Sequence, residues 1–335
     1  MVYIHVKQIG DKKYYSLRIS VRKGKEVITK DLCNLGNDIS KINIKDLEKK
    51  YKKEIRKSYK TIKKFLETNH YYEEAKKLKL RESEYYTKEQ LLNIEAVRLH
   101  FTKKFLKLNE LTQKDFYENF LIKFAVNSTS IEGNTITLKE ADRLLKEDIV
   151  PKNKTMREAY DLVNTKKVVN YLMEEKPKIN LELIEKIHDM LMENIDNRKG
   201  YRNHEINILG QPFKPSPARY VKADVKLLLD WFEKNKKLNS LVLVSLFHHK
   251  FENIHPFSDG NGRTGRVLMN YMLNSFGYPS FVISKRFRKK YLDVMNKADK
   301  SLKNSLVNVD LKFYRDFLDF IYLEFKESYW DSFLV

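Results

Sequence analysis

Alternating polar and apolar positions at the start of the chain predict a small β-sheet. Residues 2–34 contain three runs in which polar residues alternate with β-branched or aromatic ones, YIHVKQI, YYSLRISV and EVITKDL. The turn sequences Gly10-Asp11-Lys12 and Lys23-Gly24-Lys25 separate the runs. We therefore predict a small β region over residues 1–40.

A period of three to four residues follows and predicts an amphipathic helix from about Lys45 to Leu66. Its apolar positions are Leu47, Tyr51, Ile55, Tyr59, Ile62 and Leu66. We interpret residues 41–84 as a charged helical connector that packs on its own domain. A contact between copies of the chain, giving a homo-oligomer, is the alternative use of the apolar face.

From about Tyr85 to the end of the chain the pattern is helical. Capping boxes mark three helix starts, at Thr87 with Gln90, Thr137 with Glu140, and Thr155 with Glu158. Further helices are predicted at 181–194, 222–235, 240–253, 263–276, 286–301 and 310–328. Glycines, prolines and two short β-like runs interrupt the pattern at residues 200–220, which predicts a hairpin or loop. The chain is thus expected to be mainly α, with one helical domain over residues 85–335.

Composition narrows the class of protein. Apolar residues make up 42% of the 335 residues, enough for a sizeable core. No apolar run approaches the roughly 18 residues that a membrane span requires, so no membrane contact is expected. The N-terminal sequence lacks the apolar segment of a signal peptide, and Cys33 is the only cysteine. We expect a cytoplasmic protein.

Positive charge is concentrated at the N-terminal end. Of the net charge of +20, residues 1–80 contribute +12. One interpretation is compositional, because lysines in a Lys-, Asn-, Ile- and Tyr-rich chain are usually solvated. The other is nucleic-acid binding through residues 1–35, which resemble the small sheets that some recombinases use to hold DNA. The candidate contacts are Tyr14, Tyr15, Arg18, Arg22 and Lys23.

Residues 255–266 lie between two predicted helices and read HPFSDGNGRTGR. Pro256 disfavours the α conformation at His255, which ends the first helix. Gly260 and Gly262 permit a tight turn and a close approach of a ligand to the backbone. The second helix begins near Gly262, and its free N–H groups and dipole form an anion site. Arg263 and Arg266 lie on one face of its first turn, which indicates a polyphosphate ligand.

The remaining polar residues of this segment suit phosphoryl chemistry. Asp259 offers a carboxylate for Mg²⁺, Asn261 can donate to a phosphate oxygen, and His255 can accept a proton from a hydroxyl. A zinc site formed by His248, His249, His255 and Asp259 is the alternative, but no HExxH or CxxC spacing supports it. A P-loop is excluded, because GxxxxGK[ST] does not occur.

The segment 255–266 resembles the full signature of the Fic family, HPFx[DE]GNGRxxR, and the resemblance in helix order extends over about residues 90–330. It implies a Fic-type helical core with a β-hairpin flap, preceded here by the small β region and the helical connector. By this resemblance His255 is the catalytic base, Asp259 the Mg²⁺ ligand, and Phe257 an anchor in the core. The nucleotide-binding residues would be Gly260, Asn261 and Gly262 at the α-phosphate, and Arg263 and Arg266 at the distal phosphates.

Two further segments resemble parts of Fic proteins. A flap over about residues 203–217 would dock the target protein by main-chain pairing. Its edges would be Ile206, Asn207 and Ile208 on one side and Phe213, Lys214 and Pro215 on the other. Ser128–Asn134 resembles the inhibitory motif [ST]xxxE[GN], carried by Ser128, Glu132 and Gly133 on a helix over about 113–134. In that class the glutamate, here Glu132, pairs with the γ-phosphate arginine, here Arg266.

The activity implied by the resemblance is transfer of AMP from ATP to a Ser, Thr or Tyr hydroxyl of a target protein or of the chain itself, with auto-inhibition by Glu132. Three alternatives stay open. Removal of AMP is one, since Glu132 could position a water. A different Fic-type phosphotransfer is another, although Doc-like kinases often have Lys where Gly262 stands. The third is a nucleic-acid-binding regulator acting through the N-terminal β region.

Overall fold

The computed structural model describes residues 1–207, 213–302 and 305–335. These residues form two compact units. The first contains residues 1–81, 91–107 and 333–335, and the second contains residues 82–90 and 108–332.

The first unit begins with the predicted three-stranded sheet. Strands β1 (Val2–Ile9), β2 (Lys12–Lys23) and β3 (Glu26–Gly36) are antiparallel and adjacent in chain order. Gly24 opens the β2–β3 turn with a φ of +65°, a conformation that side-chain-bearing residues avoid. The pattern of alternation and the turn sequences are thus confirmed.

Two helices, α1 (Ile44–Ile55) and α2 (Tyr59–Ala75), cover one face of this sheet. The core between them contains Val2, Ile4, Tyr15, Leu17, Ile39, Leu47, Ile55, Ile62 and Leu66. A single helix was expected from Lys45 to Leu66, but a short 3-10 turn at Arg56–Ser58 divides it. Ser58 is buried there, and its hydroxyl accepts a hydrogen bond from the amide of Val2 at 3.2 Å. The break therefore places the Ser58 hydroxyl where it satisfies the buried amide of β1.

Residues 91–107 also belong to the first unit, and most of them lie in α3 (Lys88–Lys103). The ring of His100 is fully buried and meets the ring of Tyr71 edge-on at 5.0 Å. Phe105 packs edge-on against Phe333 at 5.0 Å. The division of the chain therefore differs from the boundary expected near residue 85, because the aromatic residues of α3 complete a core that the connector begins.

The second unit is helical. Its helices are α4 (Glu110–Ile131), α5 (Leu138–Glu147), α6 (Met156–Glu175), α7 (Leu181–Leu191), α8 (Val221–Lys234), α9 (Ser240–Ile254), α10 (Asn261–Ser275), α11 (Arg288–Ala298) and α12 (Leu311–Ser332). All three predicted capping boxes are present, at the starts of α3, α5 and α6. Among the described residues, every helix is too short or too polar to cross a bilayer.

Helix α9 lies at the centre of this unit. Twelve of its fifteen residues are buried, including polar His248, His249 and Lys250. Helix α10 follows it after six residues and is buried from Asn261 to Asn270. The loop between these two helices is therefore held at both ends by the core.

Candidate active site

His255 caps the C-terminus of α9 in a left-handed conformation, with φ of +52°. Its amide donates to the carbonyl of Phe251 at 3.0 Å, which closes the helix, and Pro256 then directs the chain away. The ring nitrogen Nδ1 lies 3.2 Å from the carbonyl oxygen of Glu252. Since a carbonyl can only accept, Nδ1 carries the proton and Nε2 of the neutral ring keeps its lone pair. The geometry thus fits the predicted proton acceptor.

Burial lowers the pKa of His255 to about 4. The carbonyl of Glu252 and the carboxylates of Glu132 and Asp259 favour the imidazolium, while Arg202 disfavours it. The ordinary pKa of a histidine side chain is about 6.5. The folded chain instead keeps the imidazole neutral across the physiological range.

The loop after His255 is fixed by two side chains. Phe257 is fully buried and stacks on the ring of His188 with 3.8 Å between centroids. The side chain of Asn261 accepts from the amide of Phe257 and donates to its carbonyl, both at 2.8 Å. The expected anchoring role of Phe257 agrees with its burial. Donation from the Asn261 side chain to a phosphate stays a prediction, because here the side chain closes the loop.

The N-terminus of α10 faces this loop. Its N-cap residue is Gly260, with φ of +73°, which has no side chain to accept from the first amides of the helix. The first intrahelical bond runs from the amide of Thr264 to the carbonyl of Gly260 at 3.0 Å. The amides of Asn261, Gly262 and Arg263 therefore precede the helical ladder, which is the arrangement that binds anions.

Both predicted arginines are buried, and each contacts a carboxylate. Arg263 is 3% exposed and pairs with Asp161 of α6. Arg266 is 2% exposed, and its Nη2 donates to Oε1 of Glu132 at 2.9 Å. Burying a guanidinium without a partner is strongly unfavourable, so these carboxylates stabilise the two buried cations.

Ser128 and Glu132 both hold Arg266. The hydroxyl of Ser128 accepts from Nε at 3.0 Å, and its carbonyl accepts from Nη2 at 2.8 Å. Glu132 is the C-cap of α4, and Gly133 follows it with φ of +109°. The interpretation of this segment as a helix end and its interpretation as a motif directed at Arg266 are therefore compatible.

Glu132 also lies directly over the start of α10. A Cβ atom at position 262 would collide with Oε1 of Glu132. Gly262 thus gives the carboxylate room to approach the uncapped helix N-terminus. The carboxylate therefore lies close to the N-terminal end of α10, where the helix dipole favours negative charge.

Asp259 is suited to a divalent cation. Burial tends to raise the pKa of its carboxyl, but Arg263, the amide of Gly260 and Arg157 together outweigh burial and lower that pKa. The carboxylate pairs with Arg157 of α6 and lies 3.5 Å from Nη2 of Arg263. One ionised, partly exposed carboxylate beside the uncapped N-terminus of α10 fits Mg²⁺, which is usually held by one or two carboxylates and the substrate phosphates.

The zinc alternative finds no support in the described part of the chain. No group of three or more His, Cys, Asp or Glu residues there is arranged to hold a metal ion. His248 donates or accepts at the hydroxyl of Tyr291, 2.6 Å away, and His249 contacts the hydroxyl of Tyr314 at 2.9 Å. Both histidines pack inside the core.

A second glutamate, Glu252, lies near Arg266, and its carboxyl group is buried. Burial raises the pKa of Glu252 to about 8, so this group is neutral near pH 7. Its Oε1 lies 4.0 Å from Nδ1 of His248, whose pKa is lowered to about 3 by burial. The carboxylate that accepts from Arg266 is that of Glu132.

Arg202 connects the base of the predicted flap to His255. Its Nε donates to the carbonyl of His255 at 2.8 Å, and its other nitrogens donate to the carbonyls of His204 and Ser216. The amide of Ser216 donates to Ile254 at 3.3 Å. One buried guanidinium thus joins both ends of the flap to the C-terminus of α9.

The flap residues are only partly described. Ile206, Asn207, Phe213, Lys214 and Pro215 have no regular secondary structure, and Ile208 lies outside the described residues. The two described ends come together through Arg202, which agrees with a closed loop. Main-chain pairing along its edges stays a prediction.

Four residues that position the site were missed from the sequence. They are Arg157, Asp161, His188 and Arg202. Arg157 and Asp161 are four residues apart on one face of α6, a spacing that could have suggested a paired charge set, but nothing local relates α6 to the loop. For His188 and Arg202 the sequence contains no signal that we can identify.

Comparison with known proteins agrees with this geometry. Residues 178–273 match the Fic/DOC family. Proteins named Protein adenylyltransferase Fic are similar over about half of the chain. The one from Aedes aegypti is 30% identical over 190 residues, which cover 53% of this chain and 37% of that protein. The one from Drosophila erecta is 32% identical over 184 residues, covering 52% and 36%. The chain thus spans little more than a third of the length of these relatives.

Solved structures show the same fold. A Fic domain containing signaling protein from Bacteroides thetaiotaomicron aligns with a TM-score of 0.61 and 22% identity, covering 69% of this chain and 92% of that one. Fic-1 from C. elegans aligns with a TM-score of 0.61 and 23% identity, covering 72% and 70%. Together, these comparisons show that residues 178–273 are similar to the Fic/DOC family and that the chain has the fold of the Fic proteins.

Proposed function

We propose that this chain is a protein adenylyltransferase that moves AMP from ATP to a Ser, Thr or Tyr hydroxyl of a target protein or of itself. The observation that carries the proposal is the position of His255. Its unprotonated Nε2 belongs to the same short loop as an uncapped helix N-terminus with two buried arginines. A proton acceptor beside a polyphosphate site is the minimum that transfer to a hydroxyl requires. The names of the relatives support the same activity.

The nucleotide would bind through its phosphates. The first amides of α10 suit the α-phosphate, and Arg263 and Arg266 suit the phosphates beyond it. Asp259 would hold Mg²⁺, which when bound neutralises charge that develops on the phosphate oxygens. In this binding mode Arg266 exchanges the carboxylate of Glu132 for a phosphate.

The chemical step is a displacement at the α-phosphorus. The hydroxyl oxygen of the target forms a bond to that phosphorus, and the bond from phosphorus to the oxygen bridging the α- and β-phosphates breaks. The hydroxyl proton goes to Nε2 of His255, and pyrophosphate leaves. Because His255 is neutral at physiological pH, it is ready to accept this proton.

We also infer that Glu132 inhibits the reaction in the resting chain. Its carboxylate neutralises Arg266 and lies against Gly262, where it would repel an incoming phosphate. Its side chain is 42% exposed, so it can turn toward solvent without unfolding α4. Inhibition of this kind lowers the fraction of productively bound ATP rather than altering the base.

Labelled ATP tests the proposed function. The full chain is incubated with Mg²⁺ and ATP radiolabelled at either the α- or the γ-phosphate, together with a cell lysate as target. AMP transfer labels protein from α-labelled ATP only, and treatment with EDTA prevents it. Label from γ-labelled ATP would instead show a phosphotransferase. Loss of AMP from pre-labelled protein, without any forward labelling by the wild type or by Glu132→Gly, would show that the site works in reverse.

A further inference from the structure

The N-terminal sheet ends in a protruding ribbon of two strands. Val2 at the start of β1 pairs with Ile19 of β2, so β2 and β3 continue beyond β1. We call Val21–Ile28 the β2–β3 ribbon. Its apolar side chains are uncovered, since Val27 is 65%, Val21 50% and Ile28 39% exposed. Neither face of the ribbon is buried against the helices of the unit.

The ribbon is basic, and its cations are available to a ligand. Arg22, Lys23 and Lys25 lie in it, against Glu26 as the only acid. Among the described residues, none of these three cations takes part in an ion pair, whereas Arg18 in the adjoining sheet pairs with Asp31 at 2.5 Å. Arg22 donates from Nε to the carbonyl of Gly24 at 3.3 Å, so the three cations can bind an anionic partner without first giving up an ion pair.

The exposed face of the sheet next to the ribbon also carries basic side chains. Alternation places Val2 and Tyr15 on the face that packs on α1 and α2, and Lys7, Tyr14 and Arg22 on the opposite, solvent-exposed face. Tyr15 is 5% exposed and belongs to the core, so its candidacy as a nucleic-acid contact fails. The exposed face keeps an aromatic residue among basic ones, a combination typical of nucleic-acid surfaces.

We propose that the β2–β3 ribbon binds duplex DNA by entering the major groove, with the exposed sheet face beside it on the phosphates. Its three cross-strand pairs make the ribbon about 10 Å long, and two strands with side chains are about 10 Å across. The major groove is about 12 Å wide and 8.5 Å deep and accepts a two-stranded ribbon. Arg22 and Lys23 can reach phosphates or base edges there, and Val27 can contact thymine methyl groups.

Fluorescence anisotropy with the full chain tests this proposal. The probe is a fluorescein-labelled duplex of about 20 base pairs and mixed sequence, titrated at several salt concentrations between about 50 and 200 mM. Wild type should bind with an affinity that falls steeply with salt, with a slope of log K against log salt near −3 to −4 for about four phosphate contacts. The triple variant R22E/K23E/K25E should bind at least about tenfold more weakly, with a slope shallower by about 2 to 3.

A matched variant separates the ribbon from charge in general. K49E/K52E/K53E reverses three exposed lysines of α1 in the same unit and changes the net charge equally. It should keep nearly wild-type binding and slope, and circular dichroism should show both variants folded.

Three results would overturn the proposal. The first is an equal loss of duplex affinity in both triple variants. The second is tighter binding to a single strand of the same length than to the duplex. The third is displacement of the duplex from the protein by vesicles containing phosphatidylserine at equal charge. The second would point to single-stranded nucleic acid and the third to a membrane surface. Because His255 is not involved, His255→Ala should bind the duplex like wild type, whether or not the proposed transferase activity holds.

Discussion

Two basic regions of this chain differ in whether their charged side chains form ion pairs. In the loop and first turn of α10, Asp259, Arg263 and Arg266 each contact an oppositely charged side chain. In the β2–β3 ribbon, the three cations point into solvent without an ion pair among the described residues. The side chains of the α10 loop can bind a ligand only by giving up their present ion-pair partners. Such an exchange of partners would allow ligand binding to be regulated. The cations of the β2–β3 ribbon can bind an anion without breaking an ion pair, but salt weakens their attraction for it.

Burial explains why the loop needs internal partners. An unpaired buried guanidinium is unfavourable by several kcal/mol, while an exposed cation is solvated at almost no cost. Asp161 and Glu132 therefore stabilise the fold before any nucleotide binds. If the proposed nucleotide binding holds, these carboxylates would have to release or share the arginines with the phosphates, so stability and activity would compete at this site.

The largest effect is expected from removing the base. His255→Ala should lower the rate of AMP transfer by about 10²- to 10⁴-fold, because the hydroxyl proton then has no acceptor. The affinity for ATP, measured by calorimetry, should change little, since Nε2 acts on the nucleophile. Retention of more than about a tenth of the rate would contradict the role assigned to His255.

An increase in the rate of auto-modification is expected when the carboxylate of Glu132 no longer contacts Arg266. Glu132→Gly should raise the rate of auto-modification by about 5- to 150-fold, the range of ordinary coupling free energies of 1–3 kcal/mol. Autoradiography with α-labelled ATP measures it. The reason is that the carboxylate no longer neutralises Arg266 or lies over Gly262.

Glu147→Gly is the matched control for this gain. Glu147 also ends a helix, α5, and its carboxylate lies 3.7 Å from an arginine, but that arginine is Arg143 of the same helix and not a residue of the 255–266 motif. It should leave the rate unchanged, and Arg266→Ala should be inactive with or without Glu132. An unchanged or lower rate in Glu132→Gly would reduce Ser128–Asn134 to a helix end or assign Glu132 to the reverse reaction.

How far the sequence predicts each region depends on how local its determinants are. The break at His255 and the start of α10 follow from Pro256 and Gly260, so both were expected within a residue or two. The Arg266–Glu132 contact was expected only through the family resemblance. The partners Asp161 and Arg157 were missed because α6 precedes the loop by about a hundred residues, and no local rule relates the two. Tertiary contacts decided those parts of the site.

A smaller loss, with a specific signature, is expected at Arg202. Arg202→Ala should lower kcat for AMP transfer by about tenfold, because the carbonyl of His255 loses its donor and the base can shift by a fraction of an ångström. KM for ATP should stay nearly constant, since Arg202 contacts only backbone carbonyls of the loop and flap base.

The pH profile separates positioning of His255 from general loss of structure at this site. The positive charge of Arg202 helps to keep the pKa of His255 near about 4 by disfavouring the imidazolium. Without it that pKa rises, so the acid limb of kcat/KM should move to higher pH. An acid limb that does not move, together with a lowered melting temperature, would make Arg202 a residue of structural importance only.

The smallest effect is expected where an exposed pair borders the buried set. Arg157 is paired with Asp259, but the two side chains are 56% and 35% exposed. Exposed ion pairs contribute about 0.2–1 kcal/mol to stability. Replacing Arg157 should therefore raise the affinity of the Asp259 carboxylate for a competing cation by only about 1.4- to 5-fold. Arg157→Ala should therefore bind Mg²⁺ with a non-hydrolysable ATP analogue slightly more tightly, as calorimetry at varied Mg²⁺ would show. Arg143→Ala, which removes an exposed pairing on α5 whose side chains are 54% and 55% exposed, is the control and should bind like wild type. Weaker binding by Arg157→Ala would mean that Arg157 turns to the nucleotide itself, and the loop would then have three arginines for its phosphates where the present geometry gives it two.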